Sequence, residues 1–467
     1  MYRLFLFVAM SSILPNWLYA DLRLGVFEVD ATPAIGSPLA YDPMREATLP
    51  LSCRGVVLTG EQQPIVICCV DWLGIANDSA DLFRNTLAQA VNTSVNRVVV
   101  HTLHQHDAPR CDLTAAKILG EYGQAAAHYD VPFIKDVVSR AGLAAAQAAK
   151  EAQTVTSIST GVATVENVAS NRRLLGPDGK VHTTRYTACK DPAIRDLPVG
   201  VIDPQLKLLA FEGTRGPIAA ITFYATHPQS YYRTGGANPD FPGMARNSRQ
   251  SSSGVFHLHL NGAGGNIGAG KYNDGSHENR QVLAERVAAA MKLAFDNRQT
   301  SQLESVDWSF RELVAPLAEH LNEAELTAAV ADDSTPYALR GHAAEKLAFL
   351  QRTNAGIQLQ VSRLRIGANQ ILFMPGELFV EYQLAAQHMA PDSNVMLAAY
   401  GEYGTQYIGT RVAYDQGGYE TSDRATNVSP RIEGVLTEAM RDLLAASDRR
   451  LLPSDYTERT GALPKRD

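Results

Sequence analysis

The sequence predicts an α/β fold of mixed sheets flanked by helices, and three observations predict it. Short apolar runs alternate with helix-length amphipathic stretches early in the chain, the middle third is dense in β-like runs, and a strand–helix–strand series closes it. In order, "RGVVLTG" and "PIVICCVDWLG" are rich in β-branched and other apolar residues and read as strands. "DSADLFRNTLAQAVN" carries helical spacing, "RVVVHTLH" is again a strand, and the Ala-rich "PFIKDVVSRAGLAAAQAAKEAQ" is a long helix. "TSISTGVATV", "LKLLAFEG", "IAAITFYATH" and "GVFHLHLNGAGG" follow as strands, then the helix "ENRQVLAERVAAAMKLAFDN". Residues 315–350 read as two amphipathic helices that cap a cleft. The chain returns to strands in "GIQLQVSRLRIGANQILFMPGE", a helix around "FVEYQLAAQHM" and the strand "NVMLAAYGE". No internal repeat or low-complexity linker interrupts this, so residues 21–450 are expected to form one domain, with 451–467 as a C-terminal tail.

Composition removes several classes of function. The chain has 467 residues, 45% of them hydrophobic and 19% charged, which fits a folded enzyme-sized protein and no disordered or fibrous class. A formal charge of −7 with no run of lysine or arginine argues against a nucleic-acid partner. Residues 1–20, "MYRLFLFVAMSSILPNWLYA", place one early cation, an apolar stretch and a small residue in the order of a secretory signal peptide, so a periplasmic or secreted protein is expected. No later run is long enough to span a bilayer, which predicts no integral membrane segment after signal cleavage. The five cysteines are an odd count; Cys68 and Cys69 read as buried strand residues, and Cys53, Cys111 and Cys189 are the candidates for one bridge.

The chemistry gathers where strands end. In "HTLHQHDAPRCD" the alternation of an extended segment lets His104 and His106 present both rings to one side, with His101 set apart. Three further metal-capable side chains arrive at strand ends: His227 in "FYATHP", Glu377 in "FMPGELF" and Tyr407 in "GTQYIGT". Asp71 and Asp107 read either as acceptors for the second N–H of a ligand imidazole or as helix caps. Tyr231, Tyr232 and Arg233 follow the His227 motif and are candidates to line the same cleft. The loop "NGAGGNIGAGKYNDG" holds six glycines, which permits close backbone approach to a ligand, but Tyr272 after Lys271 excludes a phosphate loop.

Taken in order, these motifs resemble the neutral, non-lysosomal ceramidases, zinc-dependent amidases that cut the N-acyl bond of ceramide; the likeness runs from about residue 22 to 440. "HQHDAP" is similar to the family's H-x-H-S-G-P segment, "YATHP" to its A-x-H, "MPGE" to its P-G-E and "YIGTRVAYDQGGYE" to its tyrosine motif. The resemblance implies a ceramidase-like catalytic domain with zinc held by His104, His227, Glu377 and Tyr407, His106 as the neighbouring catalytic imidazole, and Arg172 of "SNRR" as the active-site arginine. Such a donor set leaves room for a water whose pKa falls to about 7.

One departure shapes the expected substrate. The family's active-site serine is replaced by Gly268, so no serine nucleophile operates there, and Gly268, Lys271 and Tyr272 are expected to meet a substrate more polar than ceramide. Too few residues follow the tyrosine motif for the family's C-terminal immunoglobulin-like domain, which is expected to be absent. The expected function is an exported zinc hydrolase, an amidase acting on a small lipid-like or carbohydrate substrate. An esterase or lyase on a carbohydrate and a metal-binding protein without catalysis are the alternatives.

Overall fold

The computed structural model describes residues 22–446 and 450–459; the expected signal peptide lies outside them. A nine-stranded sheet is formed by β1 (Arg23–Asp30), β2 (Ser52–Thr59), β3 (Ile65–Val70), β4 (Val98–Thr102), β5 (Gln153–Thr164), β6 (Gln205–Gly213), β7 (Gly216–Tyr224), β8 (Phe256–Asn261) and β9 (Gln299–Gln302). Its order is β8-β7-β6-β5-β1-β2-β3-β4, with β9 pairing β5. The second sheet, β10 (Val306–Leu313), β11 (Leu359–Ile366), β12 (Asn369–Phe373) and β13 (Asn394–Ala398), is paired in chain order. Both sheets are mixed: β3–β4, β7–β8 and β12–β13 run parallel, and the other neighbours run antiparallel.

The strand sequences explain the layering. Alternate residues of "VVL" and "IVICCV" fall into different cores: Val56, Leu58, Ile65, Ile67 and Cys69 pack against Ile371, Phe373 and Met396 of the second sheet. Val57, Val66, Cys68 and Val70 face the opposite way, into helices. A run that is apolar at every position is what a strand covered on both faces needs. α1 (Asp78–Val91), α2 (Leu113–Gly120) and α3 (Val131–Lys150) supply part of that outer cover, with Phe83, Leu119 and Ile134 in the same core. α4 (Asp240–Ser253) and α5 (Glu278–Asp296) cover β6 and β7 through Phe241, Ala245 and Leu283. α6 (Glu323–Ala331) and α7 (Tyr337–Asn354) join the α2 side through Val330 and Ala344. α8 (Val380–Met389) and α9 (Ile432–Leu444) cover the outer face of the second sheet through Tyr382 and Leu436. The result is helices, sheet, sheet, helices, the α/β arrangement the sequence predicts.

Several expectations change on inspection. All five cysteines are free and buried, so the bridge among Cys53, Cys111 and Cys189 does not form; the sulfur nearest Cys53 belongs to Cys68, at 3.6 Å. Glu345 of α7 pairs with Arg110 at 3.0 Å and accepts from the Tyr129 hydroxyl, which fixes the helix against the segment after β4. Residues 450–459 fold back onto the domain, where the Ser454 N–H donates to Glu433 at 2.8 Å. Among the described residues, no helix is long and apolar enough to cross a membrane.

Candidate metal centre

The carboxyl ends of β4, β7, β12 and β13 meet at one end of the two-sheet sandwich, where functional groups of parallel strands collect. The sheets are stitched there by backbone bonds from Thr102 N to Tyr400 O (3.0 Å) and Ala399 N to Asn261 O (2.9 Å). His104 follows β4, His227 follows β7 and Glu377 follows β12. Tyr407 lies opposite Glu377 in a two-residue parallel pair, so one register fixes both.

His104 is held in the left-handed region, at φ 56°. A non-glycine residue there costs about 1–3 kcal/mol and persists only where its surroundings fix it. Here the His104 N–H donates to the Trp72 carbonyl (3.0 Å) and its Nδ1–H to the Leu73 carbonyl (2.6 Å). That leaves Nε2 with its lone pair, 3.2 Å from Glu377 Oε2. His227 Nδ1 lies 3.7 Å from the same oxygen, and its Nε2 lies 3.4 Å from His106 Nε2. His104 Nε2, His227 Nδ1 and Glu377 Oε2 are all buried and have no hydrogen-bond partner. Three acceptors facing one another without a donor are unfavourable unless a cation lies among them. Two donors each about 2 Å from a tetrahedral zinc lie about 3.3 Å apart, close to the separations found. His104, His106 and His227 also form a buried group whose donor atoms lie within 4.8 Å of one another, so the residues present fit a metal ion.

The electrostatics agree with that fit. Burial would raise the Glu377 carboxyl, and positive charge around it, at His104 when that imidazole is protonated and at Arg172, together with the Tyr407 hydroxyl, holds it below the usual carboxylate range. Burial keeps the Tyr407 phenol well above its ordinary value, with Arg172 opposing, so a phenolate at this position needs an additional positive charge. Burial and the Arg172 charge lower His227, and burial with its charged neighbours lowers His106, so both imidazoles are neutral. The Tyr403 hydroxyl donates to the other Glu377 oxygen at 2.9 Å. The Tyr400 ring stacks on His104 with centroids 4.6 Å apart.

Arg172 joins the group, its guanidinium 5.2 Å from the Tyr407 ring centre. Its Nε donates to Glu420 at 2.7 Å, Arg173 holds the other Glu420 oxygen at 3.0 Å, and Arg172 Nη2 is buried without a partner. Gly268 borders the same space: a Cβ built there would have Thr187 Oγ1 at 3.7 Å and Arg172 Cδ at 3.9 Å as its nearest neighbours. Lys271 does not join; its ammonium donates to the carbonyls of Asp196 (3.1 Å) and Leu197 (2.7 Å), bracing a neighbouring loop. Tyr272 is half-buried, and its N–H donates to the Ala269 carbonyl.

The glycine loop admits protein rather than ligand. A Cβ at Gly265 would sit 2.2 Å from the Glu377 carbonyl oxygen, and one at Gly264 would sit 2.6 Å from the Thr226 carbonyl carbon, so both must be glycine for the loop to press against the strand ends. Neither aspartate caps a helix or touches a ligand imidazole. Asp71 is bound by Arg246 at 2.6 and 2.9 Å and by Ser52, because a buried guanidinium on α4 requires a counter-ion; Asp107 pairs with Arg280 at 2.9 Å. His101 stays apart, its Nδ1–H donated to Ala399 O at 2.7 Å and its pKa lowered by burial to about 4. Of the expected cleft lining, Tyr232 stands 5.7 Å from His106, whereas Tyr231 stacks on His277 at 4.2 Å. The sequence reading missed Tyr41, whose ring is parallel to His106 at 5.9 Å, and also Tyr403 and Glu420. Tyr403 could have been found from its place in "YGEYGTQY", just past a strand end; Tyr41 carries no such signal.

No protein-family model matches the sequence, and no curated protein matches it significantly. Two solved structures do match in shape. A ceramidase complexed with C2 superposes with a TM-score of 0.67 and 16% identity, over 93% of this chain and 76% of that one. The neutral ceramidase from Pseudomonas aeruginosa gives 0.66 and 18%, over 96% and 77%. At these identities the shared property is the fold: the chain has the α/β fold of the neutral ceramidases.

Proposed function

We propose that this protein is an exported zinc-dependent hydrolase, an amidase that cleaves the N-acyl bond of a substrate more polar than ceramide. The observation that carries the reading is the convergence of His104 Nε2, His227 Nδ1 and Glu377 Oε2, buried and without donors. His104, His227, Glu377 and Tyr407 would hold the ion. When bound, zinc supplies acidity to a water and polarises a carbonyl.

The chain's own groups do the rest. His106, buried beside His227, accepts the proton of the attacking water and returns it to the leaving nitrogen. Arg172, fixed by Glu420 and with Nη2 free, stabilises the negative charge that develops on the acyl oxygen. Tyr403 holds Glu377 through its second oxygen. With Gly268 in place of a hydroxyl-bearing residue, the proton transfers rest on His106. The ceramidase neighbours' substrate class and the tyrosine-rich surroundings of His106 support an acylated substrate with a polar head.

Zinc content per chain and turnover of matched N-acyl amides, acyl esters and uronate polymers test this reading. The expected result is about one zinc per chain with amide cleavage preferred; a metal-free purified protein, or an unsaturated product absorbing in the ultraviolet, overturns it. Gly268→Ser is expected to fold with an unchanged melting temperature, since nothing lies nearer than 3.7 Å to the new Cβ. It is not expected to cleave ceramide, and appreciable ceramide hydrolysis by that variant would show that this loop position alone sets the substrate.

A further inference from the structure

Beside the histidine cluster the chain builds a rim to which the hydrolytic mechanism assigns no step. Tyr41 lies parallel to His106, and Tyr232 stands 4.9 Å from Tyr41 and 5.7 Å from His106, so the two phenols form a wall over that imidazole. The Arg233 guanidinium sits against both rings, 5.3 Å from the centre of Tyr41 and 5.2 Å from that of Tyr232. Arg233 is exposed, and among the described residues its side chain makes no ion pair and no hydrogen bond. An arginine fixed on aromatic faces keeps its five N–H donors turned outward and its rotamer freedom reduced, which prepares it for an anion.

The backbone points the same way. Arg233 has a φ of 66°, where a long side chain is unfavourable and glycine or asparagine would be at ease. Its neighbours enforce this. Arg280 donates to the Tyr231 carbonyl at 2.8 Å, the Thr234 hydroxyl donates to Asp107 at 3.2 Å, and the Arg45 N–H donates to the Gly235 carbonyl at 2.7 Å. The constrained turn presents a cation without a partner beside the histidine cluster. The other cation against Tyr41, Arg110 at 5.5 Å, is already neutralised by Glu345, so Arg233 carries the unpaired charge of this wall.

We propose that Arg233 is the specificity residue for an anionic head group, and that the substrate class is an N-acyl compound bearing a carboxylate or another fixed anion on its amine portion. This rests on the amidase reading above. Hydrolysis would add the water hydroxyl to the acyl carbon and its proton to the nitrogen, breaking the C–N bond and releasing a fatty acid and an anionic amine such as an amino acid. Tyr41 and Tyr232 position the guanidinium, and their rings shield the stem of the head group from water.

The test measures binding and turnover separately, on the zinc-loaded protein, with N-dodecanoylglycine, N-dodecanoyltaurine and neutral N-dodecanoylethanolamine. By calorimetry at low salt, at least one of the two anions is expected to bind roughly tenfold more tightly than the neutral compound, with the advantage shrinking at high salt. The glycine and taurine arms distinguish a carboxylate from a sulfonate-like anion. Arg233→Gln is expected to remove that advantage and leave the neutral compound within about twofold of its original affinity. Arg233→Gly relieves the backbone, so it is expected to melt no lower than the parent while losing the same advantage, which separates recognition from folding. Equal binding of all three compounds to the parent, or an advantage that survives in Arg233→Gln, overturns the proposal. Anion-selective binding without turnover of any compound leaves this inference standing and defeats the amidase reading; turnover without anion selectivity does the reverse.

Discussion

His104→Ala is expected to yield a folded protein that retains less than about a tenth of a zinc per chain and loses at least about three orders of magnitude in kcat/KM. The side chain supplies one of three mutually facing acceptors, and its removal leaves Glu377 and His227 without the arrangement that selects an ion. His227→Ala is expected to behave in the same way. His106→Ala separates the roles: it is expected to keep zinc while kcat falls about 10²–10⁴-fold, the size of a lost general acid–base group. Metal analysis of dialysed protein beside steady-state kinetics makes the comparison. Full zinc occupancy in the His104 or His227 variant refutes the donor set, and loss of zinc from His106→Ala would assign the ion to the three histidines instead.

The largest effect on stability is expected from Asp71→Ala, about 3–5 kcal/mol by denaturant titration. Asp71 and Arg246 are both fully buried and joined by two charge-assisted bonds. Arg54 lies close enough that burial and the Arg246 charge lower its pKa to about 10, so Asp71 neutralises a site where two guanidiniums crowd. Removing the carboxylate strands Arg246 against Arg54. The double variant Asp71→Leu with Arg246→Met is expected to recover most of the loss, since a buried pair is costly to break and cheap to replace as a unit. Burial opposes ionisation of Asp71, but the Arg246 charge and hydrogen bonds prevail and depress its pKa. A depressed carboxylate contributes stability above its unfolded value of about 3.9, and the contribution is lost as pH falls through the lower folded value. The parent is therefore expected to lose stability in acid more steeply than the double variant. The change should also reach the site, because the strand end that carries Asp71 also carries the Leu73 carbonyl that orients His104.

Much of this was legible in the residues. "PIVICCV", apolar at every position, announces a strand covered on both faces, and the Ala-rich helix lies at Val131–Lys150 where its pattern puts it. The approach of His104, His227 and Glu377 was foreseeable because each follows a strand whose end lies on one rim, whereas Tyr407 arrives nine residues past its strand and is placed by its pairing with Glu377. α4 could not be read: "DFPGMARNSRQSSS" is polar and carries proline and glycine, and it is helical because Phe241 and Ala245 pack onto the sheet and Arg246 reaches Asp71. The glycine loop was read for its freedom but not for its neighbour, since only the folded chain shows the Glu377 carbonyl within 2.2 Å of where a Cβ would be. Asp71 was mistaken for the same reason: its partner lies 175 positions away.

His104 and His227 extend from one sheet, while Glu377 follows a strand of the other and pairs with Tyr407, and the seam between the sheets is closed by a few backbone bonds. If His104, His227 and Glu377 hold an ion together, a chain on which residue 377 has not yet emerged offers it two imidazoles and no carboxylate, and loading would follow docking of the two halves. A bound ion would then act as a rivet that resists their separation.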